Sequence, residues 1–194
     1  MGRKKEFVRE EALQKAKEVF WQYGYESTSM KTLAKGMAMN PFSIYQAFGS
    51  KEKLYCEILS NYHGSNFAFL TSIFDAPVSP LQKVKNLFEH VKQEIIKDTQ
   101  GNGCMMVNAI GELCGHLESV DAIIAQNERE VMALFEKTVR QGQEQGEFDT
   151  KSSSQQLSAF LFASFQGMRT FGKINRSDHL INGVKNSIIT AISA

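Results

Sequence analysis

Apolar residues recur at three- and four-residue steps along almost the whole chain, which is the spacing of one face of an α-helix. No stretch alternates apolar and polar residues as a half-buried strand would. The 194 residues include only three prolines, Pro41, Pro77 and Pro80, so most of the chain lacks the residue that breaks helix interiors. The pattern predicts an all-α fold of nine helices. Their predicted spans are about 8–23, 30–37, 41–48, 51–74, 80–98, 104–113, 120–144, 153–171 and 178–193.

Two short predicted helices near the N-terminus are separated by a tight turn. Thr28 and Ser29 belong to a cluster of N-cap residues before the first of them. Asn40 and Pro41 start the second, with asparagine as the N-cap and proline at the first helical position. Together with the helix that precedes them, they predict a helix-turn-helix over about 29–48.

The second of these short helices, residues 41–48, has one face that is free of core residues. Ile44 and Phe48 lie four residues apart and face inward, so Phe42 and Tyr45 fall on the exposed side. Exposed phenylalanine is unexpected on a soluble surface, but it could contact thymine methyl groups in a DNA major groove. Packing on a neighbouring side chain is the alternative, and the sequence favours neither.

Lys51 is predicted in the first turn of the fourth helix, where its charge opposes the helix dipole. A DNA phosphate held by Lys51 and the adjacent backbone amides would account for this placement. Residues 1–53 contain ten Lys or Arg and six Asp or Glu, whereas the remainder contains twelve and fifteen. Because phosphate binding relies on such a local excess, we predict a DNA-binding domain at 1–53 and a second helical domain at 54–194.

These N-terminal residues are similar to the DNA-binding domain of TetR/AcrR-family regulators. The matching residues are Phe20, Gly24, Thr28, Leu33-Ala34, Ser43-Ile44-Tyr45, Phe48, Lys51-Glu52 and Leu54. The resemblance implies a homodimer that binds a palindromic operator, usually as a repressor, and leaves it when a small ligand enters the C-terminal domain. The DNA contacts that it implies are Thr28, Ser29, Asn40, Pro41, Phe42, Tyr45, Gln46, Ala47 and Lys51.

Two positions depart from the family's pattern. Ala38 stands where a turn glycine is common, and a left-handed backbone there would cost roughly 1–2 kcal/mol. Ala47 stands where a histidine or tyrosine often reaches a phosphate, so we expect that contact to be lost.

The predicted helix at 104–113 resembles the helix that opens the ligand domain in one branch of the family. Asn108 and Glu112 share one face of this otherwise apolar helix, either to orient a ligand or to bond neighbouring helices. The residues predicted to line a ligand pocket are Phe88, Cys104, Met105, Asn108, Glu112, Phe135, Phe165 and Met168. Aromatic and methionine residues at helical spacing are also typical of plain core.

Cys104 offers a second kind of trigger, modification of its thiol in place of reversible ligand binding. It follows two glycines at the start of a predicted helix, a position found for reactive thiols, and some family members sense electrophiles through a cysteine near this helix. A buried, unreactive cysteine is the alternative. We predict no metal and no cofactor, since Cys114 and His116 lack a second ligand pair with metal-site spacing.

The last two helices carry apolar stripes that predict the dimer interface, with intramolecular core as the alternative. The residues of these stripes are Leu157, Phe160, Leu161, Ser164, Phe165 and Met168, followed by Ile181, Val184, Ile188 and Ile192.

A helical enzyme is the alternative from another class of protein, but no Ser-His-Asp arrangement, HExxH, phosphate loop or paired carboxylates stand at convincing spacing. Charged residues follow Arg3-Lys4-Lys5 where a signal peptide would be apolar. No apolar run approaches the ~18 residues that span a bilayer. The three cysteines, an odd number, favour free thiols in a reducing cytoplasm. The missing catalytic motifs favour a protein that is not an enzyme.

Overall fold

The computed structural model describes residues 2–194, with side chains from Arg9 onward; the side chains of Arg3, Lys4 and Lys5 lie outside the described residues. Within these limits the chain forms nine α-helices and no strand, which confirms the predicted fold. Among these residues, none of the helices combines the length and the hydrophobicity that a membrane span requires. The helices are α1 (Gly2–Tyr23), α2 (Met30–Met37), α3 (Pro41–Phe48), α4 (Lys51–Phe74), α5 (Pro80–Lys97), α6 (Met105–Leu113), α7 (Glu118–Glu144), α8 (Ser154–Ile174) and α9 (Asp178–Ile192).

Side-chain caps start most of the helices. Ser29, Asn40 and Ser50 each accept a hydrogen bond from the backbone N–H three residues further on. Ser153 and Gln156 form a reciprocal capping box at the start of α8. Because these caps act within one turn, the starts of α2, α3 and α4 agree with the prediction.

α8 runs three residues further than predicted, because Gly172 lies within the helix. A Cβ at Gly172 would lie 2.6 Å from an atom of Ile95, so the glycine allows α5 and α8 to approach closely. The glycine therefore serves packing and does not end the helix.

Two hydrophobic clusters fill the interior. The first joins α1, α2, α3 and the first half of α4 to α6 and the start of α7, and it includes Met105, Ala109 and Leu113 of α6. The second joins the rest of α4 to α5, α7, α8 and α9 around Phe88 and Phe135. α6 thus shares a core with the helix-turn-helix unit (α1–α3), although the sequence assigns it to the second domain.

Most residues of the stripes predicted to face a second copy are buried within the chain instead. The buried members are Leu157, Leu161, Phe165, Met168, Ile181, Ile188 and Ile192. Phe160 remains 41% exposed, and Leu180 of α9 is 46% exposed. The apolar stripes therefore pack mainly on α5 and α7 of the same chain. Their edge also borders an outward groove, which Phe160, Ser164 and Val184 line.

Ala38 ends α2 in the left-handed conformation, with φ 53° and ψ 40°. It is the one non-glycine residue with positive φ among the described residues. The Cβ of alanine makes this conformation unfavourable by roughly 1–2 kcal/mol. The strain considered from the sequence is therefore present in the fold.

Ala38→Gly is expected to raise the free energy of unfolding by about 0.5–1 kcal/mol, because the relief of strain exceeds the added freedom of the unfolded chain. Urea unfolding followed by circular dichroism measures the change. Ala34→Gly, inside α2, is the matched control and should lower stability by about 1 kcal/mol. A loss of stability in Ala38→Gly equal to that control would show that Ala38 is unstrained.

Candidate nucleic-acid interface and neighbouring cavity

The turn between α2 and α3 holds the two helices as a helix-turn-helix. Residues 38–40 connect them, and the Asn40 side chain accepts a hydrogen bond from the Ser43 N–H at 2.8 Å. Ile44 and Phe48 are buried on the inner side of α3. One face of α3 is therefore fixed to the core, and the opposite face is free.

The free face of α3 exposes the residues that the sequence predicts to contact DNA. Phe42 is 72% exposed and Tyr45 is 48% exposed. This exposure excludes the alternative in which Phe42 packs on a neighbouring side chain of the same chain. The other predicted contacts on this segment, Asn40, Pro41, Gln46 and Ala47, are exposed as well.

Thr28 and Ser29 differ in accessibility. Ser29 is the exposed N-cap of α2, and its Oγ accepts a hydrogen bond from the Thr32 N–H at 3.1 Å. Thr28 is fully buried, and its hydroxyl donates to the Gly24 carbonyl oxygen. The Thr28 hydroxyl is therefore bonded within the fold, and the cap of α2 falls one residue later. The contact of Thr28 with DNA stays a prediction.

Lys51 opens α4 beside Tyr25, with its Nζ 4.1 Å from the centre of that ring. This cation–π contact positions the amine while the side chain stays partly exposed. The amine thus lies at the N-terminus of α4, where backbone N–H groups without intrahelical partners also favour an anion.

Arg9 of α1 links three helices, a role that no sequence pattern indicated. Its guanidinium carbon lies 4.9 Å from the centre of the Phe48 ring, and it bonds both carboxylate oxygens of Glu57, one at 2.7 Å. Hydrogen bonding to Glu57 is the largest cause of the raised pKa of Arg9. Arg9 and Glu57 are 48 residues apart, so no local pattern marks the pair.

Glu112 of α6 binds the backbone of the HTH unit and also borders a groove between α1, α6 and α8. Its carboxylate accepts hydrogen bonds from the Tyr25 N–H at 3.0 Å and the Glu26 N–H at 2.8 Å, directly after α1. Gly24 has a φ of +79°, and a Cβ there would lie 2.9 Å from a Glu112 oxygen. Glu112 thus makes hydrogen bonds to a neighbouring part of the fold, as in the structural alternative to ligand binding.

Asn108 and the apolar pocket candidates make contacts within the fold. Asn108 donates to the Asn102 carbonyl oxygen at 2.8 Å and accepts from Lys173 Nζ at 2.8 Å. The five apolar candidates are core residues at most 3% exposed, and none borders the cavity between α1, α4, α5 and α8. They are Phe88, Met105, Phe135, Phe165 and Met168.

A cavity of about 760 Å³ lies between α1, α4, α5 and α8, and we call it the junction cavity. Its wall includes Trp21 and Tyr62, whose rings meet edge to face at 5.5 Å. Trp21 Nε1–H donates to the Gly103 carbonyl oxygen at 2.9 Å, which ties α1 to the loop before α6. Of the predicted pocket residues, only Cys104 lines this cavity.

Cys104 faces two hydrogen-bond donors in the cavity wall. The Tyr62 hydroxyl lies 3.4 Å from Sγ, and Arg169 Nη1 lies 3.7 Å from it. Burial works to lower the pKa of Arg169, but its proximity to Cys104 and Glu94 raises that pKa above its ordinary value. The guanidinium therefore stays charged beside the sulfur. Among the described residues, no group of three His, Cys, Asp or Glu side chains is placed to hold a metal ion.

Two family models match the chain. The model described as bacterial regulatory proteins, tetR family, matches residues 12–58, from α1 into α4. The model described as the tetracyclin repressor-like C-terminal domain matches residues 80–188, which is more than half of the chain.

Curated relatives and solved structures cover most of the chain. The transcriptional repressor ComR of Escherichia coli K12 is 30% identical over 179 residues, 86% of this chain and 80% of ComR. The repressor DhaR of Mycobacterium sp. strain GP1 is 27% identical over 171 residues, 88% and 84% of the two chains. A cysteine mutant of the regulator CifR, complexed with 26-bp operator DNA, superposes with a TM-score of 0.81 at 28% identity, over 93% and 94%. Reduced E. coli NemR shares the fold, with a TM-score of 0.84 at 19% identity over 96% and 97%.

Glu112→Ala is expected to lower the free energy of unfolding by about 1.5–3 kcal/mol, because two backbone N–H groups lose a charged acceptor. Urea unfolding measures the loss. Glu128→Ala, at an exposed position on α7, is the matched control and should change stability by less than about 0.5 kcal/mol. Equal effects of the two substitutions would mean that the Glu112 carboxylate does not hold the HTH unit.

Proposed function

Because the chain belongs to the tetR family of bacterial regulatory proteins, we propose that it is a repressor that binds a palindromic operator as a homodimer and leaves it when a small effector binds. The observation that carries this proposal is the outer face of α3. Phe42 and Tyr45 stand exposed on a helix whose opposite face is buried in the core. A helix fixed in this way can enter the major groove of DNA.

The exposed residues divide into phosphate and base contacts. Lys51, Ser29 and Tyr45 carry groups that donate hydrogen bonds to phosphate oxygens, which position the protein without reading sequence. Phe42 would meet a thymine methyl group, and Gln46 would hydrogen-bond a base edge. Asn40, Pro41 and Ala47 would lie along the same groove at the start and flank of α3.

The outward face of α8 and α9 supplies the dimer surface. Exposed Phe160 and Leu180 border a shallow apolar groove that also contains Gly167 and Gly183. Glycines let helices of a second copy approach closely, so the pair would form a four-helix bundle with its twofold mate. A dimer places two α3 helices on successive half-sites of a palindrome, roughly 34 Å apart.

Communication between the two halves would pass through α6. Glu112 holds the end of α6 to the backbone after α1, and the Trp21–Gly103 hydrogen bond holds the loop before α6 to α1 itself. A change in the ligand-binding half that moves α6 therefore moves α1. The function requires no catalysis, and it places the protein with its DNA in the bacterial cytoplasm.

Lys51→Ala and Phe42→Ala are expected to weaken operator binding in different ways. An operator is first selected from random duplex DNA with wild-type protein, and affinity is measured by fluorescence anisotropy between about 50 and 200 mM KCl. Lys51→Ala removes one phosphate contact per protomer, so the salt slope falls by about 2 per dimer and all sequences lose affinity alike. Phe42→Ala relaxes the preference for one base pair per half-site by about 1–3 kcal/mol.

Lys151→Ala, in the exposed loop before α8, is the control for the loss of one positive charge. It should leave the salt slope close to the wild-type value. A slope for Lys51→Ala equal to this control would exclude its phosphate contact. Wild-type sequence preference in Phe42→Ala would exclude its groove contact.

Modification of Cys104 is a second candidate for the release signal. The observation that favours it is the position of Sγ in the cavity wall, beside Tyr62 and Arg169, which can both stabilise negative charge on sulfur. In the addition of the thiolate to an electrophilic alkene, sulfur bonds the β-carbon. The alkene electron pair moves to the α-carbon, which then takes a proton from water.

Treatment of the operator complex with N-ethylmaleimide tests this candidate. Wild type and Cys114→Ser, which lacks the exposed cysteine, should release the DNA, while Cys104→Ser should keep it. Operator affinity before and after treatment is compared by anisotropy. Equal release from Cys104→Ser and wild type would remove the thiol trigger.

A further inference from the structure

We propose that the junction cavity is the effector site, and that its effector is a small organic anion: a carboxylate with a flat, apolar body. The proposal rests on the repressor function for the consequence of binding, but not for binding itself. The volume of about 760 Å³ lies within the range of small-molecule sites, roughly 300–1,000 Å³.

The apolar part of the wall suits a flat ligand. Trp21 and Tyr62 meet edge to face and present aromatic surface to the cavity. Leu13, Ile58 and Ile95 complete this part of the wall from α1, α4 and α5. Aromatic and aliphatic side chains of this kind bury the body of a ligand, and a few polar groups fix its orientation.

Two of the three carboxylates at the cavity, Asp98 and Glu94, are already neutralised or hydrogen-bonded. Asp98 accepts three backbone hydrogen bonds, from Gly101 at 2.9 Å, Asn102 at 3.2 Å and Gly103 at 2.7 Å. Partial burial works to raise the pKa of Asp98, but these bonds hold it below its ordinary value. The Asp98 carboxylate is therefore charged and already hydrogen-bonded to the backbone of its own loop.

Glu94 is likewise paired, with Arg169 at 2.9 Å and with His90 at 3.4 Å. Glu10 is exposed at the edge of the cavity. Away from Glu10 at the edge, a cationic ligand would thus have to displace existing partners from Glu94 or Asp98 before it gained a counter-charge.

Three lysines line the cavity, Lys17, Lys97 and Lys173, and no carboxylate balances their charge in the described contacts. Lys17 and Lys173 lie nearest the Trp21–Gly103 hydrogen bond. The Lys17 amine lies 5.3 Å from the centre of the Trp21 ring and 6.0 Å from that of Tyr62. The Lys173 amine donates to the neutral amide of Asn108, and a Cβ at Gly103 would lie 2.7 Å from the Lys173 stem. Trp21 donates a hydrogen bond to the Gly103 carbonyl oxygen, so Lys17 beside Trp21 and Lys173 beside Gly103 lie on either side of this bond. An anion that binds beside it is attracted by both amines.

Such a ligand would join α1 to α8. Lys17 and Trp21 belong to α1, whose Phe20 is part of the core of the HTH unit, whereas Lys173 belongs to α8. A carboxylate held by both lysines therefore acts directly on the orientation of the HTH unit, and binding weakens the operator complex.

The binding test uses the fluorescent anion 8-anilinonaphthalene-1-sulfonate and the full-length protein without DNA. Trp21 is the only tryptophan of the chain, so excitation of tryptophan with detection of dye emission reports dye near the cavity. Bound dye is then displaced with 1-naphthylacetate and with its neutral isostere 1-naphthylacetamide. We expect the carboxylate to displace dye at a concentration at least about tenfold lower than the amide, as expected for hydrogen bonds to a charged group.

Lys17→Gln and Lys173→Gln should each weaken dye binding about tenfold, for the same reason. Lys15→Gln is the matched control, because Lys15 lies on α1 but pairs with Glu11 and does not line the cavity. Circular dichroism confirms that each variant is folded. Wild-type dye affinity in both cavity variants, or equal displacement by acid and amide, overturns the anion site.

Operator release separates this inference from the proposed function. With the selected operator, 1-naphthylacetate should lower the affinity of wild type, and Lys17→Gln should need about tenfold more of it for the same effect. Anion binding without any change in operator affinity overturns the regulatory role of the cavity. Failure to select any operator overturns the repressor function and leaves the dye measurements to decide the anion site.

Discussion

The attachment of α6 to the HTH unit determines how the two halves of the chain are joined. Tyr25 and Glu26 have N–H groups that find their acceptor in Glu112, 87 and 86 residues away. Hydrogen bonds to a charged group contribute about 1.5–3 kcal/mol, so the carboxylate stabilises one position of the turn after α1. The first hydrophobic cluster continues from α1 into α6 around this turn. The orientation of α3 therefore depends on a helix outside the predicted DNA-binding domain.

Three local rules of protein structure are broken within a short stretch of this chain. Phe42 exposes an aromatic ring, Ala38 adopts a left-handed backbone without glycine, and Lys51 places a cation at a helix N-terminus. Elsewhere in this stretch, the caps, Pro41 and the inward face of α3 follow local propensity. Departures that cluster while their surroundings obey the rules are typical of a functional surface, where binding outweighs stability.

Short-range features of the fold could be predicted, and long-range ones could not. The cap at Asn40 acts over three residues, so the start of α3 follows from sequence alone. Periodicity identifies Phe135 as buried, but it does not tell whether a buried face meets other side chains or a cavity. The junction cavity is formed by Trp21, Tyr62 and Arg169, which lie on three helices, and only their packing brings them together.

The position of the junction cavity between the two hydrophobic clusters determines which ligand contacts can regulate DNA binding. An effector shifts an equilibrium only through the part of its affinity that differs between the two states. Contacts with α5 and α8, which belong to one cluster, add affinity without coupling if these helices move together. Contacts with Lys17 and Trp21 of α1 change whenever the HTH unit moves. Coupling free energies of about 1–3 kcal/mol are as large as one charge-assisted hydrogen bond, so the ion pair of an effector with Lys17 has the required magnitude.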